Sequence, residues 1–600
     1  MTEDSAQPYA EFVTNLLAEM GYTHCFLVPG GAIMHLVNAA RSRMTCIPVV
    51  HEVAATIAAE YFNALSDGAR AYALVTAGPG ISNALTGMAG AYLESRDVLV
   101  VAGQVKSTDL SRGVVRQRGI QEIDGVAMAE SVAVTAMRIE EPQPDSVIAD
   151  AVARGLIDRK GPVYLEFCLD AQGAPVERTP VSVPETMEVS QEFLAASPDA
   201  IAQVENAQAA AERPVVLIGG GVSHRVAQAN ADALARLGVP LMTTWNGFDR
   251  VADDHPCFAG RPNTWGQRWA NIVLSQADCI VALGTRLGIQ QTGFNWQEWG
   301  PAEGEGVVIQ VEVDEGELAK GHPRVDLPLL ADANAVLIGL AQSQPLDLQP
   351  WWSFINSVRA DIPLIDPENE TREGFLSPYT LMDELSSELS PEDVLIPASS
   401  GSGQFVPMET FQMKTGQRVA TNKGLASMGY GLAAAMGAAA TGAARVVLIE
   451  GDGSFSQSIQ ELGTVALQDW PIKIFLLDND GYASIRSTQR NYFGGAYLGC
   501  DSATGLGFPD WHLLARAFGL PSIQVGSDGL SGEGVRDLLN APGAAIFVVS
   551  TDPEQTYFPK VTSRVTEDGS MASNPLHHMS PPLPDDVARR VFRFRHNGAS

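Results

Sequence analysis

The chain has 600 residues, of which 45% are hydrophobic, and its formal net charge is −31. This length predicts several domains with sizeable cores, and the charge argues against a nucleic-acid partner, because phosphate backbones bind basic surfaces. The six cysteines form no CxxC pair, so we expect free thiols and no disulfide framework. No signal pattern and no apolar run of about 18 residues are present, so we expect no membrane partner and a cytoplasmic location.

Strand-like apolar runs alternate with helix-compatible segments along most of the chain. Three such blocks cover residues 1–172, 190–342 and 365–551, and residues 552–600 form a C-terminal tail. This alternation is typical of parallel sheets flanked by helices, and each block is too short for a barrel. The predicted fold class is therefore α/β, with three doubly wound parallel-sheet domains.

Two candidate site residues of the first block open helices. His35 falls in the first turn after the loop that contains Gly31, so it is either a proton shuttle or a histidine packed on the helix. Glu52 opens a small-residue helix after a short apolar strand. Its two interpretations are a catalytic carboxylate and a helix N-terminal acid stabilised by the dipole.

Glycine-rich turns follow strands in the first and second blocks. The turn at 76–84 includes Gly78 and Asn83, but it is not a GxGxxG and carries no dinucleotide fingerprint. In the second block, three glycines at 219–221 follow the strand-like run 214–218. No acidic residue stands at the Rossmann spacing, so these glycines are a weak nucleotide signal.

The third block carries oxygen ligands at the ends of two consecutive predicted strands. Asp452 follows the run 445–449, and Asn479 follows the run 472–477, with a helix-compatible stretch between them. Open α/β sheets bind ligands outside the carboxyl ends of their strands. Carboxylate and amide oxygens suit Mg2+, which leaves positions for phosphate oxygens. GDG and NDG are also ordinary turn sequences, which is the competing interpretation.

The spacing of these two clusters resembles the motif of enzymes that bind thiamine diphosphate (ThDP). The motif is a GDG followed, about two dozen residues later, by a pair of asparagines; here Asp478 replaces the first asparagine. The resemblance implies that Asp452, the Asn479 side chain and the Gly481 carbonyl hold Mg2+. It also implies that Gly453, Ser454 and Tyr482 contact the cofactor.

Other segments resemble the acetolactate-synthase-like members of this superfamily. The segment 399–405 suits a diphosphate cradle, although Phe405 departs from the usual GQHQ, and 422–431 resembles the segment GLGTMGFG. The resemblance implies a role for each remaining candidate: Glu52 at N1′ of the aminopyrimidine, Gly78 and Asn83 beside the pyrimidine, Gly31 near the reacting carbon, Gln121 facing substrate, Ser400 and Gln404 at the diphosphate, the Ala426 carbonyl at the 4′-amino group, and Met428 between the two rings.

The resemblance also implies a reaction. Members decarboxylate a 2-oxo acid, here expected to be pyruvate, and transfer the two-carbon unit to a carbonyl acceptor. True acetolactate synthases carry a tryptophan where this chain has Thr488, and Pro559-Lys560 looks closer to the branch that serves branched-sugar and surface-polysaccharide pathways. The acceptor itself cannot be predicted from the sequence.

Several alternatives stay open at this point. Cyclic-dione hydrolases are similar too, and in such an enzyme His35 would assist water. An idle regulatory subunit and an NAD-dependent dehydrogenase are disfavoured by the intact Glu52, Asp452 and Asn479. The resemblance leaves the central domain with or without FAD, for which Gly284 to Arg286 and Val313-Asp314 are the expected contacts. It also implies a homodimer or homotetramer with sites at the subunit interface.

Overall fold

A computed structural model of the chain describes residues 6–177, 191–398, 401–565 and 571–594. It contains three sheets of five or six strands, and every strand pair within these sheets is parallel. Helices flank each sheet. The predicted α/β class with three parallel-sheet domains is therefore confirmed.

The first domain has a six-stranded sheet in the order β3-β2-β4-β5-β7-β6, and a separate antiparallel pair of β1 with β8. Its strands are β1 Ala6–Pro8, β2 Tyr22–Leu27, β3 Thr45–Pro48, β4 Arg70–Val75, β5 Val98–Gln104, β6 Thr135–Ile139, β7 Pro162–Cys168 and β8 Pro175–Glu177. Its helices are α1 Tyr9–Glu19, α2 Met34–Arg43, α3 Glu52–Leu65, α4 Pro79–Leu93, α5 Gly125–Ala129, α6 Asp145–Ala153 and α7 Leu169–Gly173.

The central domain has a five-stranded sheet in the order β10-β9-β11-β12-β13. Its strands are β9 Pro214–Ile218, β10 Leu241–Thr243, β11 Cys279–Leu283, β12 Val307–Glu312 and β13 Leu327–Leu330. Its helices are α8 Gln191–Ala210, α9 His224–Ala229, α10 Ala231–Leu237, α11 Arg268–Leu274, α12 Ile289–Thr292, α13 Glu315–Ala319, α14 Ala333–Leu340 and α15 Gln349–Asp361.

The third domain has a six-stranded sheet in the order β15-β14-β16-β17-β19-β18, and a short tail follows it. Its strands are β14 Asp393–Pro397, β15 Arg418–Val419, β16 Arg445–Gly451, β17 Ile472–Asp478, β18 Ser522–Val525 and β19 Ala545–Ser550. Its helices are α16 Pro378–Glu388, α17 Ser402–Thr410, α18 Gly431–Ala440, α19 Asp452–Phe455, α20 Leu462–Gln468, α21 Ala483–Phe493, α22 Trp511–Ala517 and α23 Val535–Asn540. The tail contains β20 Ser563–Val565, β21 Met571–Ser573 and α24 Asp585–Val591.

The first and third domains share one hydrophobic core, in which α3 packs along α18. Small residues allow this close approach, since a Cβ at Gly437 would clash with the carbonyl oxygen of Ala58. The helix α4 also packs closely on α3, and a Cβ at Gly87 would lie 2.7 Å from the Thr56 side chain. The opposite face of the first sheet has its own core with α1, α2 and α6. The first and third domains, which carry the candidate cofactor residues, are therefore fixed against each other within one chain.

The structure also answers two smaller expectations. All six cysteines are free thiols, as predicted. Among the described residues, no helix is long and apolar enough to span a bilayer.

Candidate active site

The predicted metal ligands of the third domain meet at the carboxyl edge of its sheet. Asp452 directly follows β16 and is 1% exposed. Its carboxylate accepts the backbone N–H of Gly481 at 2.8 Å and that of Asn479 at 3.2 Å, which follow the neighbouring strand β17. Burial raises the pKa of Asp452, and the nearby Asp478 carboxylate adds to the shift. A cation at this carboxylate would offset both effects.

The donor set fits Mg2+. The buried Oδ1 of Asn479 has no hydrogen-bond partner among the described residues, so an acceptor oxygen is left for a ligand beside Asp452. Gly481 has φ +118°, a conformation that favours glycine and that turns the chain between Asn479 and Tyr482. The described residues contain no group of three His, Cys, Asp or Glu side chains, as a zinc site would use. One carboxylate, one amide and a carbonyl are instead a hard-oxygen set.

The Met428 loop, residues 422–430, lies directly beside the segment 452–454 that begins with Asp452. The backbone N–H of Gly429 donates to the Ser454 hydroxyl at 2.9 Å, and that hydroxyl donates to Glu450 at 2.6 Å. Ala426 has φ +51°, which is unusual for a residue with a side chain. Met428 is half-buried at the end of this loop. The sequence prediction that these two segments form one site is consistent with this geometry.

Glycine is required at position 453, which packs against the metal loop, here residues 479–482. A Cβ there would clash with the ring of Tyr482, so the two residues predicted to contact the cofactor pack on each other. The backbone N–H of Tyr482 donates to the carbonyl oxygen of Cys500 at 2.8 Å, which holds the backbone of this residue in place.

Arg486 is a site residue that the sequence analysis did not identify. It is 6% exposed and donates to the Asn479 carbonyl at 2.8 Å and to Asp501 at 3.3 Å. It therefore clamps the metal loop from the first turns of α21. An arginine in a polar helix gives no local signal of this role, and α21 contains a second one, Arg490.

The expected diphosphate cradle is described in part. Ser400 lies outside the described residues. Gly401 has φ +85° and caps α17, and a Cβ on it would lie 3.0 Å from the Ser484 hydroxyl of α21. The Gln404 side chain is fully buried and donates to the Thr421 hydroxyl at 2.9 Å and to the Asn422 carbonyl at 2.8 Å. Its amide thus holds the segment that leads to Ala426 and Met428.

First-domain residues hold that same segment. The Glu94 carboxylate accepts the backbone N–H groups of Lys423 and Gly424. Arg96 donates to the Thr421 carbonyl at 2.7 Å and pairs with the buried Glu60 at 3.0 Å. The contacts of Glu94 and Arg96 with residues 421–424 span more than 300 positions, so no local pattern could have predicted them.

Glu52 lies at the start of α3, as predicted, and is 7% exposed. Its carboxylate accepts the side-chain N–H of Asn83 at 2.9 Å, which brings together two residues that were predicted to serve the pyrimidine. The turn before it is held by Glu461 of the third domain, which accepts the backbone N–H of Val50 at 3.1 Å and of His51 at 3.0 Å. A buried carboxylate on a fixed helix end is suited to hold a proton on a bound base.

Gly78 and Gln121 are in contact. Gly78 has φ +67° and caps α4, and a Cβ there would clash with the Gln121 carbonyl oxygen. Gln121 has φ +60° and an exposed side chain, so the loop presents it to solvent at the carboxyl edge of the sheet. This position fits the expectation that Gln121 faces substrate.

The loop that carries Gln121 is folded around Glu122. This carboxylate is 5% exposed and accepts the backbone N–H of Arg118 at 2.8 Å, that of Gly119 at 2.9 Å and that of Ser111. Burial opposes ionisation, but the backbone donors outweigh it and lower the pKa of Glu122 to about 2.

Replacing Glu122 by Gln should loosen this loop, because an amide cannot accept all three N–H groups and part of its own group would donate instead. We expect the free energy of unfolding to fall by about 1–3 kcal/mol. Since the native pKa lies below the usual 4.5, the difference between the two proteins should be complete above that value and shrink as the pH falls toward the native pKa. Urea unfolding at several pH values measures it, with the exposed Glu141→Gln as control. A difference that does not change between pH 7 and acid would contradict the assignment.

Gly31 and His35 lie near each other in chain order but have different surroundings. A Cβ on Gly31 would meet no atom within 4 Å, so this residue borders open space, whereas one on Gly30 would lie 2.5 Å from the Thr76 side chain. The half-buried His35 ring lies against Gly173 of α7, 3.0 Å from where a Cβ would stand. The packed-histidine interpretation is consistent with this contact, and the catalytic one stays a prediction.

Glu52 and Asn83 lie at the start of α3 and α4, whereas contacts with residues 422–430 lie farther along or beyond these helices in the same chain. The Tyr430 hydroxyl, just after Met428, contacts Glu60, which is eight residues or about 12 Å along α3 from Glu52. Likewise Asn83 lies in the first turn of α4, while Glu94 follows the helix at its far end. Within one chain, Glu52 and Asn83 therefore lie at a distance along these helices from the contacts that hold the Met428 loop.

The glycines at 219–221 of the central domain pack against neighbouring segments of the same domain. A Cβ on Gly221 would lie 2.8 Å from Gly284, so the two strand-end loops after β9 and β11 approach each other closely. Asp314 pairs with Arg159 of the first domain and accepts the backbone N–H of Gly316 at 2.8 Å. These contacts explain the residues without a flavin, and FAD stays a prediction.

Two parallel sheets thus present different groups at their carboxyl edges: a hard-oxygen donor set at one and a buried carboxylate at the other. This arrangement is typical of an enzyme that binds a diphosphate cofactor at the carboxyl edge of a sheet. The chain matches the thiamine pyrophosphate (TPP) enzyme family in all three domains: the N-terminal TPP binding domain over residues 8–128, the central domain over 201–340 and the C-terminal TPP binding domain over 400–549. It belongs to this family, and its cofactor is thiamine diphosphate.

Relatives extend the similarity over nearly the whole chain. An acetolactate synthase of Mycobacterium bovis is 28% identical over 96% of this chain and 93% of its own length. The acetolactate synthase isozyme 2 large subunit of Escherichia coli is 29% identical over 92% of this chain and 97% of its own length. Acetolactate synthase 1, chloroplastic, of Zea mays is 25% identical over 92% and 87%. The expected superfamily is confirmed; the branch within it stays a prediction.

Proposed function

We propose that this enzyme decarboxylates a 2-oxo acid, with pyruvate as donor, and transfers the two-carbon unit to a carbonyl acceptor, using ThDP and Mg2+. The observation that carries the proposal is the complete pair of half-sites, Glu52 with Asn83 and Asp452 with Asn479, on a chain similar to acetolactate synthases throughout. An idle regulatory subunit would have no need to keep both.

Bound ThDP supplies the electron sink that makes a carbanion accessible from a 2-oxo acid. Asp452, Asn479 and Gly481 would hold the metal, and Arg486 keeps their loop in place. Glu52 would hold the proton at N1′ of the aminopyrimidine, where a desolvated carboxylate is effective. Gly31 would leave open space for the reacting group, and Gln121 would face substrate from a tightly folded loop that contacts Gly78.

The acceptor is proposed to be other than a simple 2-oxo acid. The exposed Thr488 on α21 stands where the resemblance places a tryptophan in true acetolactate synthases. A small hydroxyl side chain leaves room for a bulkier acceptor, such as the keto-sugars of the branched-sugar branch.

Purified protein supplied with pyruvate, ThDP and Mg2+ tests the proposal. We expect release of CO2, and faster product formation when a carbonyl acceptor is added. No CO2 from pyruvate or other 2-oxo acids, together with hydrolytic cleavage of a cyclic 1,2-dione, would replace this proposal with the hydrolase alternative.

We also infer a homodimer, or a dimer of dimers, with each site formed by two chains. Glu60, which the Tyr430 hydroxyl contacts just after Met428, lies about 12 Å along α3 from Glu52 of the same chain, which supports a site completed by a second copy. Apolar side chains are exposed on the loops that border both halves, with Ile120 88%, Val114 84% and Leu498 77% exposed. A two-fold interface is the commonest way to cover such surfaces in a closed assembly.

Mixing Glu52→Gln with Asp452→Ala protein under subunit-exchange conditions should restore activity that neither variant has alone. In a mixed dimer one site receives an intact Glu52 from one chain and an intact Asp452 from the other. Heterodimers isolated with two different affinity tags should therefore have one working site of two. Inactive heterodimers would show that each site lies within a single chain.

The predicted FAD is tested separately. The protein is purified without added flavin and then denatured, and any FAD that it releases is measured by its visible absorption. A flavin-free active enzyme would exclude FAD from the reaction, whereas one FAD per chain would support the predicted flavin.

A further inference from the structure

A ring cluster joins the central domain, the third domain and the tail beside the candidate active site. Trp265 stacks on Phe405 with ring centroids 4.5 Å apart, and Phe405 meets Tyr557 edge-on at 5.1 Å. Phe405 stands where the resemblance expects a histidine. Tyr557 lies beside Ser402, at the start of α17, and near enough to Asp452 to influence it electrostatically. The cluster therefore leads from the metal loop outward.

At the outer end of this cluster a lysine is held by aromatic rings. The Lys560 ammonium lies 5.8 Å from the centre of the Trp265 ring and 5.2 Å from that of Phe558. No carboxylate in the described part of the chain forms an ion pair with it. Burial, with the nearby Arg490, lowers the pKa of Lys560. A partly buried cation without an anionic partner retains its capacity to bind an anion.

The lysine is fixed in place by its backbone. The N–H of Lys560 donates to the Ser580 carbonyl at 3.2 Å, and the N–H of Val561 donates to the Thr264 carbonyl at 3.1 Å, next to Trp265. Arg490 of α21 lies near enough to influence Lys560 electrostatically, and it pairs with the exposed Glu554. Two cations and one carboxylate leave a local positive charge on a chain whose net charge is −31.

Resting on the proposed function, we propose that Lys560 and Arg490 form a subsite for a phosphate group carried by the carbonyl acceptor. The carboxylate of a 2-oxo acid is bonded to the reacting carbonyl carbon and must stay next to it. Lys560 is separated from the metal loop by the rings of Trp265, Phe405 and Tyr557. The anion that reaches Lys560 therefore lies several bonds from the carbonyl, as in a phosphorylated carbohydrate.

A matched pair of acceptors tests this subsite. With pyruvate as donor, glyceraldehyde 3-phosphate and glyceraldehyde present the same carbonyl with and without phosphate. Lys560→Met should raise the KM for glyceraldehyde 3-phosphate about tenfold or more, the size of one charge-assisted contact. The kinetics with glyceraldehyde should stay within about twofold, because the neutral acceptor makes no such contact. Arg490→Gln should act in the same direction, and the exposed Lys160→Met serves as control.

Binding without turnover separates this inference from the proposed function. Calorimetric titration of the ThDP–Mg2+ holoenzyme with glycerol 3-phosphate should show binding that Lys560→Met removes, even if pyruvate is not a substrate. Equal losses with both aldehydes, or no binding of glycerol 3-phosphate to the wild type, would overturn the subsite. If 2-oxobutyrate proves the acceptor most sensitive to Lys560→Met, the subsite binds a carboxylate and the phosphate assignment is wrong.

Discussion

Replacing Glu52 by Gln should reduce turnover roughly 100- to 10,000-fold, the contribution of a positioned acid–base group, and leave thiamine diphosphate bound. The carboxylate is 7% exposed at the start of α3, where Asn83 orients it and Glu461 fixes the preceding turn. An amide of the same shape keeps the packing but cannot hold a proton at N1′. The groups that would anchor the diphosphate lie in another domain and are untouched.

Exchange of the C2 proton of bound cofactor, followed by NMR, measures this effect directly. We expect slow exchange in Glu52→Gln and unchanged exchange in Glu141→Gln, an exposed acid of the same domain. Calorimetry on both variants should show ThDP affinity close to that of the wild type. Exchange at the wild-type rate in Glu52→Gln would remove this residue from the chemistry.

Replacing Asp452 by Ala should abolish Mg2+-dependent binding of ThDP. The diphosphate would then lie in a partly buried site with its charge poorly neutralised, which is costly. The change also removes the acceptor of three backbone N–H groups, those of Gly453, Asn479 and Gly481. Asn479→Ala should weaken binding in the same direction, because it deletes an oxygen that has no other hydrogen-bond partner among the described residues.

Titration of each variant with ThDP, at fixed and at zero Mg2+, provides the measurement. Asp480→Asn is the matched control: Asp480 is exposed in the same loop with φ +59°, a conformation that asparagine accepts readily. It should bind as the wild type does. Unchanged affinity in Asp452→Ala would place the metal elsewhere, and equal weakening in Asp480→Asn would indicate a general collapse of the loop.

The sequence by itself determined the fold class and the positions of Glu52, Asp452 and Asn479. These are local outcomes: apolar runs predict buried strands, and a residue placed directly after a parallel strand lies at the sheet's ligand-binding edge whatever the rest of the chain does. The structure moves most predicted strand ends by only one or two residues, as with β16, which extends to Gly451.

Only the tertiary structure decided which residues hold those groups. Glu461 supports the Glu52 turn across 410 positions, and Glu94 holds the Met428 loop across 329. Gln404, predicted at the diphosphate, directs its amide into the protein because Thr421 and Asn422 supply buried partners there. Such choices depend on how domains pack, and a buried polar group must bond to whatever that packing brings near it. The contact of Tyr430 with Glu60, eight residues along α3 from Glu52, is likewise a property of domain packing and has no trace in local sequence.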